Sequence, residues 1–286
     1  MSNEELWEHP EVMSRQMTAH AKKRFGQHFL RDSGVLDRIV RFIRPEPADL
    51  IVEVGAGEGA LSARLAPAVS DLLAIEIDFD CIEVLRAVLG PFPSAVVEPG
   101  NFLTLNLSTL ITPRLNPQKK LRFVGNLPFN ISTAVIGKVL DSGLPVQDMI
   151  FMVQLEVAQR ITAAPGSRTY GCLSVYCRHR ADVKMGFRIS PSCFVPRPKV
   201  TSAMVTIRPK ARVFDSGVEH TFQELVKAAF AHRRKTTANS FKKSARFGGI
   251  IDELLMQTGI DGALRPEQLT VEEYERMAQC AVGSGL

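Results

Sequence analysis

Four residues, Asn126–Phe129 (NLPF), follow directly on a largely apolar run at Leu121–Gly125 and carry groups that could hold a planar amine. The run predicts a buried strand, and its Asn-Leu-Pro end places an amide and one or two unpaired carbonyls at the carboxyl edge of the sheet. Two acceptor oxygens could take both hydrogens of an amine such as that of adenine, while Phe129 stacks on the ring. Asn and Pro also favour turns, so an ordinary strand-ending turn is the alternative.

A second chemical feature is the glycine turn at Val52–Gly59 (VEVGAGEG), which follows an apolar strand pattern and precedes a helix pattern at Ala60–Ala66. Alternate glycines let the backbone pass beneath a ligand, and the helix start presents free N–H groups. Dinucleotide enzymes, methyltransferases and plain tight turns all contain such a pattern. No Lys or Arg accompanies the glycines, and the charge of Glu58 argues for a ligand without phosphates. S-adenosylmethionine is such a ligand, and its sulfonium would be attracted to Glu53.

Two further apolar runs end in residues that could contact the rest of such a cofactor. Leu72–Ile75 is followed by Glu76, 21 residues after Gly55, where a carboxylate can accept hydrogen bonds from ribose hydroxyls. A solvated acid at a strand end is the alternative for Glu76. The run at Ala95–Val97 leads to Asn101, which could accept from the adenine amino group or simply form a turn.

Five separate blocks of the sequence resemble the ribosomal RNA adenine N6,N6-dimethyltransferase family of the small ribosomal subunit. They keep the order of that family across residues 22–208, and the helical tail continues the resemblance almost to the end. The blocks are Lys23–Leu30 (KRFGQHFL), Glu53–Gly57 (EVGAG), Ile75–Asp78 (IEID), Gly125–Ser132 (GNLPFNIS) and Cys193–Ser202 (CFVPRPKVTS).

The resemblance implies an α/β fold, a Rossmann-like class I methyltransferase sheet with a smaller C-terminal all-helical domain. It also implies S-adenosylmethionine as cofactor and 16S rRNA in the pre-30S subunit as partner, with two adjacent adenosines near the 3′ end dimethylated at N6. By motif, the cofactor-binding residues are His28, Leu30, Gly55, Glu76, Asn101 and Asn126. The catalytic residues around the target base are Asn126, Leu127, Pro128, Phe129 and Phe194, and no metal is expected.

Three positions depart from the commoner family pattern. His28 stands where Asn is frequent, and either side chain can donate a hydrogen bond to the methionine carboxylate. Asn101 stands where Asp is usual, which removes a charge from the adenine contact and predicts weaker cofactor binding. Phe129 stands where Tyr is usual, and stacking requires only the ring.

The implied reaction is direct displacement of a methyl group by the adenosine nitrogen, which needs alignment and desolvation more than a strong base. The target adenine must leave its stack, and Phe129 and Phe194 could receive it between their rings. Core packing is the alternative for Phe194, although Pro196 and Pro198 favour a rigid loop over a pocket. His179 is interpreted as a surface or satisfied core residue.

Composition favours a cytoplasmic enzyme with two domains, and a monomer is expected although the sequence does not fix the oligomeric state. The chain has 286 residues, 45% of them hydrophobic, and no apolar run approaches the roughly 20 residues of a membrane span. The start, Met1–His9, is acidic and unlike a secretion signal. The five cysteines form no C-x-x-C pair, so they are interpreted as reduced thiols.

Basic residues occur in two clusters within a chain of net charge +5 and pI near 9.0. Such clusters attract phosphates, which favours RNA contact, but a solvated helix face is the usual explanation of a charge run. The first cluster is Lys22, Lys23, Arg24 and Arg31. The second is His232, Arg233, Arg234, Lys235, Lys242, Lys243 and Arg246.

Residues 1–21 show no clear periodicity and are expected to form an N-terminal extension. Strand and helix patterns alternate over 22–208, which the resemblance identifies as the methyltransferase domain, and helical patterns predict a C-terminal helical domain at 209–286. Within the middle domain, Val183–Ile189 and Val200–Ile207 are expected to form an antiparallel hairpin at the sheet end. Helices are expected at Phe222–Ala231, Ile250–Thr258 and Val271–Val282.

Three other functions fit parts of the pattern. An adenine dimethyltransferase of 23S rRNA shares the cofactor and NLP blocks, but the Phe194–Ser202 loop and the long tail favour the small-subunit type. A catalytically silent RNA-binding assembly factor would not need intact glycines and an intact Asn-Leu-Pro. A small-molecule methyltransferase would have no use for a basic tail.

Overall fold

The protein, seen in a computed structural model that describes residues 28–211, 214–232 and 234–283, divides into two compact units. The first unit runs to Ala158 and resumes at Lys184–Pro209, and the second consists of Gln159–Val183 and the chain from Lys210 onward. The predicted boundary at residue 208 lies beside the division after Pro209. The sequence did not predict that Gln159–Val183 joins the second unit, and the N-terminal extension lies outside the described residues.

A seven-stranded sheet forms the first unit's centre, in the order β4-β3-β2-β5-β6-β9-β7. The strands β2 to β6 are parallel neighbours, and β9 runs antiparallel to β6, so the predicted Rossmann-like α/β sheet is confirmed. Every residue of β2 and β3 is buried, as expected for parallel strands covered on both faces. Their bounds are β2 Asp49–Val54, β3 Asp71–Glu76, β4 Ala95–Pro99, β5 Lys120–Asn126, β6 Val146–Gln154, β7 Ala181–Ile189 and β9 Ser202–Pro209.

A second, two-stranded sheet pairs β1 (Phe29–Leu30) with β8 (Phe194–Val195) in antiparallel register. The predicted hairpin runs, β7 and β9, are neighbours at one end of the large sheet. Nothing in the sequence pattern predicted the β1–β8 pairing, because two-residue strands carry no periodicity.

The helices α1 to α5 follow the strands of the first unit. Helix α1 begins after Asp32, whose carboxylate accepts from the Val35 N–H, and it buries Leu36, Ile39 and Ile43. The expected helix at Ala60–Ala66 is short, since a 3₁₀ turn takes over at Ala66. Bounds are α1 Ser33–Ile43, α2 Ser62–Leu65, α3 Phe79–Leu89, α4 Leu107–Ile111, α5 Ser132–Asp141 and α6 Leu155–Thr162, the last spanning the division between units.

The second unit is helical, as predicted, and has its own apolar core. Helix α8 starts six residues before the predicted range because Asp215 caps it, accepting from the N–H groups of Gly217 and Val218. The core includes Tyr170, Phe222, Phe230, Phe241, Phe247 and Tyr274. Bounds are α7 Cys172–Arg180, α8 Ser216–Phe230, α9 Thr237–Phe241, α10 Ile251–Thr258 and α11 Val271–Gly283.

His179 is a satisfied core residue of this second unit. Its ring stacks on Phe222 with centroids 4.0 Å apart, and its two nitrogens lie 2.7 Å and 3.0 Å from carboxylate oxygens of Glu275 and Glu219. Burial alone would raise the pKa of Glu219, but hydrogen bonds and charges from His179 and Arg180 lower it to about 2. Glu219 is therefore ionised and ties α7 to α8 and, through His179, to α11.

In the second basic cluster the described members are exposed, namely His232, Arg234, Lys235, Lys242, Lys243 and Arg246. Two of them have carboxylate partners, since Arg246 pairs with Glu224 and Lys242 with Asp252. Of the first cluster, only Arg31 lies within the described residues. No helix in the described part of the chain combines the length and apolar character that crossing a bilayer requires.

Candidate active site

The ends of β2 and β5 bring the glycine turn and the NLPF tetrad side by side. The two strands are parallel neighbours with Glu53 opposite Val124, so both turns lie at one sheet edge. A Cβ on Gly125 would lie 2.4 Å from the Val54 carbonyl oxygen, which shows how closely the strand ends approach. A Cβ on Gly55 would lie 3.9 Å from both the Asn126 carbonyl and Pro128 Cδ. The topology thus joins the two predicted chemical features.

One pocket opens at this edge, and five segments of the first unit form most of its wall. They are residues 28–31, 53–58, 75–77, 100–102 and 125–131. Of the predicted site residues, the wall includes His28, Leu30, Gly55, Glu76, Asn101, Asn126, Leu127, Pro128 and Phe129.

Glu76 is buried at the end of β3 and supports the glycine turn. Its Oε2 accepts from the Gly57 N–H at 2.7 Å, and its Oε1 accepts from the N–H groups of Ile77 and Asp78. A solvated acid is therefore not what the structure contains. Oε2 can still accept a second hydrogen bond, so a ribose contact fits the geometry and stays a prediction.

Asn101 lines the pocket, and its side-chain oxygen also forms a turn. Oδ1 accepts from the Leu103 N–H at 3.0 Å, so Asn101 forms the local turn that was the alternative to an adenine contact. Sequence reasoning missed Lys138 of α5, whose ammonium donates to the Leu103 and Leu105 carbonyls at 2.8 Å and 2.6 Å. Burial lowers the pKa of Lys138, but the group still fixes the loop that carries Asn101.

Asn126 is half-buried, and its side-chain orientation is determined by one contact. Its Nδ2 donates to the His28 carbonyl at 3.0 Å, which turns Oδ1 the other way. The Pro128 carbonyl accepts from the Ile131 N–H at 3.2 Å and is already used. Asn126 Oδ1 and the Leu127 carbonyl therefore stay the candidate acceptors for an incoming amine, and this role stays a prediction.

Phe129 presents its ring to the same pocket. The His28 imidazole lies beside it, with ring centroids 5.7 Å apart and a tilt of 33°. Leu127, in contrast, is buried and continues the sheet, since its N–H donates to the Met152 carbonyl at 3.0 Å. Of the tetrad, Asn126 and Phe129 thus carry side chains suited to contact a base.

Residues His28–Arg31, hereafter the strap, cross the pocket beside the glycine turn. One edge of the strap is held by backbone, through the β1–β8 pairing and the Arg31 N–H, which donates to the Cys193 carbonyl at 2.9 Å. His28 Nδ1 lies 2.6 Å from the Pro196 carbonyl, which leaves Nε2 for a ligand. The Phe29 ring packs on Gly57, whose φ of 56° and close neighbour favour glycine there.

Phe194 is not part of the pocket wall in this structure. Only 3% of the residue is exposed, and it packs in the core cluster that includes Leu30 and Leu36. Pairing of β8 with β1 turns the ring inward, so the core-packing alternative describes its position. Stacking of Phe194 on a target base stays a prediction.

Glu53 lies at the pocket wall and is 2% exposed. Burial raises the pKa of its carboxyl to about 8, although the Ser62 hydroxyl, which donates to Oε2 at 2.5 Å, opposes that rise. The nearby charge of Glu76 contributes to the rise as well. At neutral pH Glu53 is therefore largely protonated. The predicted attraction between a charged Glu53 carboxylate and a sulfonium is weakened accordingly.

The charge of Glu58 also differs in its surroundings from what the sequence predicts. Its Oε2 lies 2.5 Å from a guanidinium nitrogen of Arg31, and the two side chains are 33% and 51% exposed. No Lys or Arg occurs within the glycine turn in the sequence, but Arg31 reaches the turn from the strap. The charge of Glu58 is thus paired and is weaker evidence against phosphate than it is in the sequence. Among the described residues no cluster of three or more His, Cys, Asp or Glu is arranged to hold a metal.

The model of the ribosomal RNA adenine dimethylase family matches residues 18–282. The ribosomal RNA small subunit methyltransferase A of Chromohalobacter salexigens is 41% identical over 273 residues, which cover 95% of each chain. The protein of the same name from Marinobacter nauticus is 39% identical, with 96% of each chain covered.

Two solved structures share the fold. A dimethyladenosine transferase from Plasmodium falciparum has a TM-score of 0.77 at 22% identity, covering 91% of this chain and 99% of that one. The 23S rRNA methyltransferase ErmE has a TM-score of 0.66 at 23% identity, with 88% and 98% covered. Both likenesses support the same fold, an α/β sheet with a helical part. Because the family model covers almost all of the sequence, this chain belongs to the ribosomal RNA adenine dimethylase family.

Proposed function

We propose that this protein dimethylates the N6 amino groups of two adjacent adenosines near the 3′ end of 16S rRNA, using S-adenosylmethionine. The observation that carries the proposal is the shared pocket of the glycine turn and the NLPF tetrad at one sheet edge. A methyl donor and an amine acceptor must meet within about 3–3.5 Å, and this edge lets them do so. The proposal includes a monomeric enzyme that acts in the cytoplasm on the pre-30S subunit.

The residues present fit the proposed cofactor. Glu76 keeps acceptor capacity for ribose hydroxyls, Asn101 lines the pocket, and His28 keeps one ring nitrogen for a carboxylate. Gly55 and Gly57 adopt positive φ, which lets the turn pass close to a ligand. When bound, S-adenosylmethionine supplies an electrophilic methyl group.

The protein's part in the reaction is to hold the adenosine amine. Asn126 Oδ1 and the Leu127 carbonyl accept its two hydrogens, which draws the lone pair out of the ring and toward the donor. Phe129 stacks on the flipped base and offsets part of the cost of unstacking, on the order of a few kcal/mol. The proton leaves the nitrogen after or during methylation, so no side chain has to act as a strong base.

Small-subunit rRNA is favoured over large-subunit rRNA by the sequence relatives. Relatives of 37–41% identity carry the small-subunit name over most of the chain. The fold does not distinguish the two substrates, since a 23S rRNA methyltransferase shares it. We further propose that the second basic cluster contacts the phosphates of the rRNA.

The proposal is tested by incubating purified protein and radiolabelled methyl donor with undermethylated 30S or 50S particles, followed by nucleoside analysis. We expect dimethyladenosine from 30S particles only. Label in 50S particles alone would replace the proposed substrate, and absence of label with intact donor binding would favour a silent assembly factor.

Asn126→Ala should lower kcat by about 10²–10³-fold, by analogy with removal of one polar contact to a reacting group. Asn116→Ala is the matched control, because this exposed Asn forms only a local turn before β5. Phe129→Ala should lose most activity and Phe129→Tyr should keep it, with donor binding measured separately by calorimetry. Normal methylation by Asn126→Ala would contradict the assigned role.

A further inference from the structure

The strap is held differently along its two edges. Its outer edge pairs with residues 193–195 through the backbone, and the His28 side chain adds a contact with the Pro196 carbonyl. On the pocket side the polar contacts are made by side chains, namely Asn126 Nδ2 on the His28 carbonyl and Arg31 on Glu58. Backbone ladders resist opening more than single side-chain contacts do, so the pocket-side edge is the one that can detach.

The Arg31–Glu58 ion pair joins the strap to the glycine turn at the pocket mouth. Both residues line the pocket, and neither is assigned a role by the family motifs. Glu58 is part of the turn that lies against the cofactor site, and Arg31 is the last residue of the strap. The pair therefore connects the strap to the turn, beside the packing of the Phe29 ring on Gly57.

The same strap controls the orientation of the Asn126 amide. An amide group has nearly the same shape when its oxygen and nitrogen are exchanged, so shape alone does not select one orientation. The His28 carbonyl can only accept, and it therefore selects the orientation in which Nδ2 faces the strap. If the strap moved away, the NH2 end could face the incoming amine, where two donors would oppose each other.

We propose that the Arg31–Glu58 ion pair is a latch, which keeps the strap against the glycine turn and thereby holds the Asn126 oxygen toward the target amine. Arg31 and Glu58 are positioning residues that act through the His28 carbonyl. The inference rests on the proposed function, since it assumes that Asn126 receives the adenosine amine.

A double-mutant cycle on the two charges measures the latch. Glu58→Gln and Arg31→Gln should each lower kcat about two- to fivefold on undermethylated 30S particles at saturating donor, as expected for a half-exposed pair. The double variant should lose no more than either single variant. Glu58→Arg places two cations together and should cost about tenfold or more, and the exchanged pair Arg31→Glu with Glu58→Arg should recover to within about twofold of wild type.

The matched control is the Arg64–Asp37 ion pair of the same unit. It is similarly exposed, with 31% and 53% of the side chains accessible and 2.9 Å between the charged atoms, but neither residue lines the pocket. Arg64→Gln and Asp37→Asn should leave kcat unchanged. The latch variants should bind S-adenosylhomocysteine more weakly than wild type, as measured by calorimetry. This difference from wild type should disappear in about 0.5 M salt, because salt screens exposed charges.

A spectroscopic readout separates positioning from general destabilisation. With ¹⁵N-asparagine labelling, the Asn126 side-chain NH2 signals are those that disappear in Asn126→Asp. They should shift or broaden in Glu58→Gln and stay in place in Asp37→Asn. Independent effects of the two charges on kcat, or unchanged Asn126 signals in Glu58→Gln, would overturn the latch. Wild-type protein that binds no S-adenosylhomocysteine would instead defeat the proposed function itself.

Discussion

At the scale of single residues, Glu53 combines burial with a place in the pocket wall. Burial raises the pKa of its carboxyl to about 8, against a value near 4.5 in the unfolded chain. Below pH 4.5 the carboxyl is protonated in both states. Between pH 4.5 and 8 the unfolded chain releases this proton and the folded protein keeps it, so the free energy of unfolding falls as pH rises through that range.

Glu53→Gln should remove this contribution. As the pH rises from 5 to 8, the free energy of unfolding of the variant should increase relative to that of wild type, by on the order of a few kcal/mol. The reason is that the amide carries no charge to desolvate. Urea unfolding at the two pH values measures the difference, with Asp37→Asn as an exposed control. An equal difference between Glu53→Gln and wild type at both pH values would show that burial does not perturb this carboxyl.

At the scale of elements, β5 is held at both of its ends. Near its start, the buried Arg122 forms ion pairs with Asp49 of β2 and Asp148 of β6, each at 2.8 Å. Its guanidinium also donates to the Ile43 and Arg44 carbonyls at the C-terminal end of α1. At its far end, Gly125 lets β5 approach β2 directly before the tetrad. The strand is thus anchored away from the pocket and shaped for close approach beside it.

Gly125→Ala should separate the tetrad from the glycine turn. The added methyl would lie 2.4 Å from the Val54 carbonyl oxygen, so the strand ends must move apart. Overpacking of this kind costs about 1–3 kcal/mol of stability. We expect a loss of methylation larger than the loss of donor affinity, measured by kcat on 30S particles and by calorimetry. Gly143→Ala serves as the control for backbone strain without a clash, because its φ of 70° disfavours alanine but no atom lies within 4 Å of its Cβ position. Full activity of Gly125→Ala would contradict the required proximity.

At the scale of the whole molecule, the proposed division of labour is chemistry in the first unit and RNA contact in the second. The pocket lies entirely within residues of the first unit, and the second basic cluster lies entirely within the second. The second unit has its own apolar core, and the ionised Glu219 with His179 ties its helices together. The described side chains of the second basic cluster are exposed on this unit.

Replacing Lys235 and Lys243 together with Gln should weaken binding to 30S particles by about tenfold near 0.15 M salt. The slope of log affinity against log salt should become shallower by about one to two, because fewer counterions are released on binding when phosphate contacts are lost. Lys227→Gln is the control, an exposed lysine of α8 outside the cluster. Affinity for S-adenosylhomocysteine should not change. An unaltered salt slope in the double variant would remove these lysines from the RNA contact.

Much of the first unit could be predicted because its strands carry strong local patterns. The runs before Gly55, Glu76 and Asn126 are largely apolar, and each is a parallel strand that ends at that residue or directly before it. The sequence did not predict that α7 and most of α6 belong to the second unit, because residues 22–208 were expected to form one continuous domain. A helical pattern in the sequence does not indicate which unit the helix packs in.

The sequence by itself determined the chemical groups, their attachment to strand ends and the family to which the chain belongs, since these depend on short-range patterns and motifs. Only the tertiary structure decided that Arg31 neutralises Glu58, that the Phe194 ring lies in the core and that the His28 carbonyl orients Asn126. The strap contact with Pro196 joins residues 168 positions apart. Two-residue strands and single side-chain contacts leave no period in the sequence, so their partners are chosen by the packing of the folded chain.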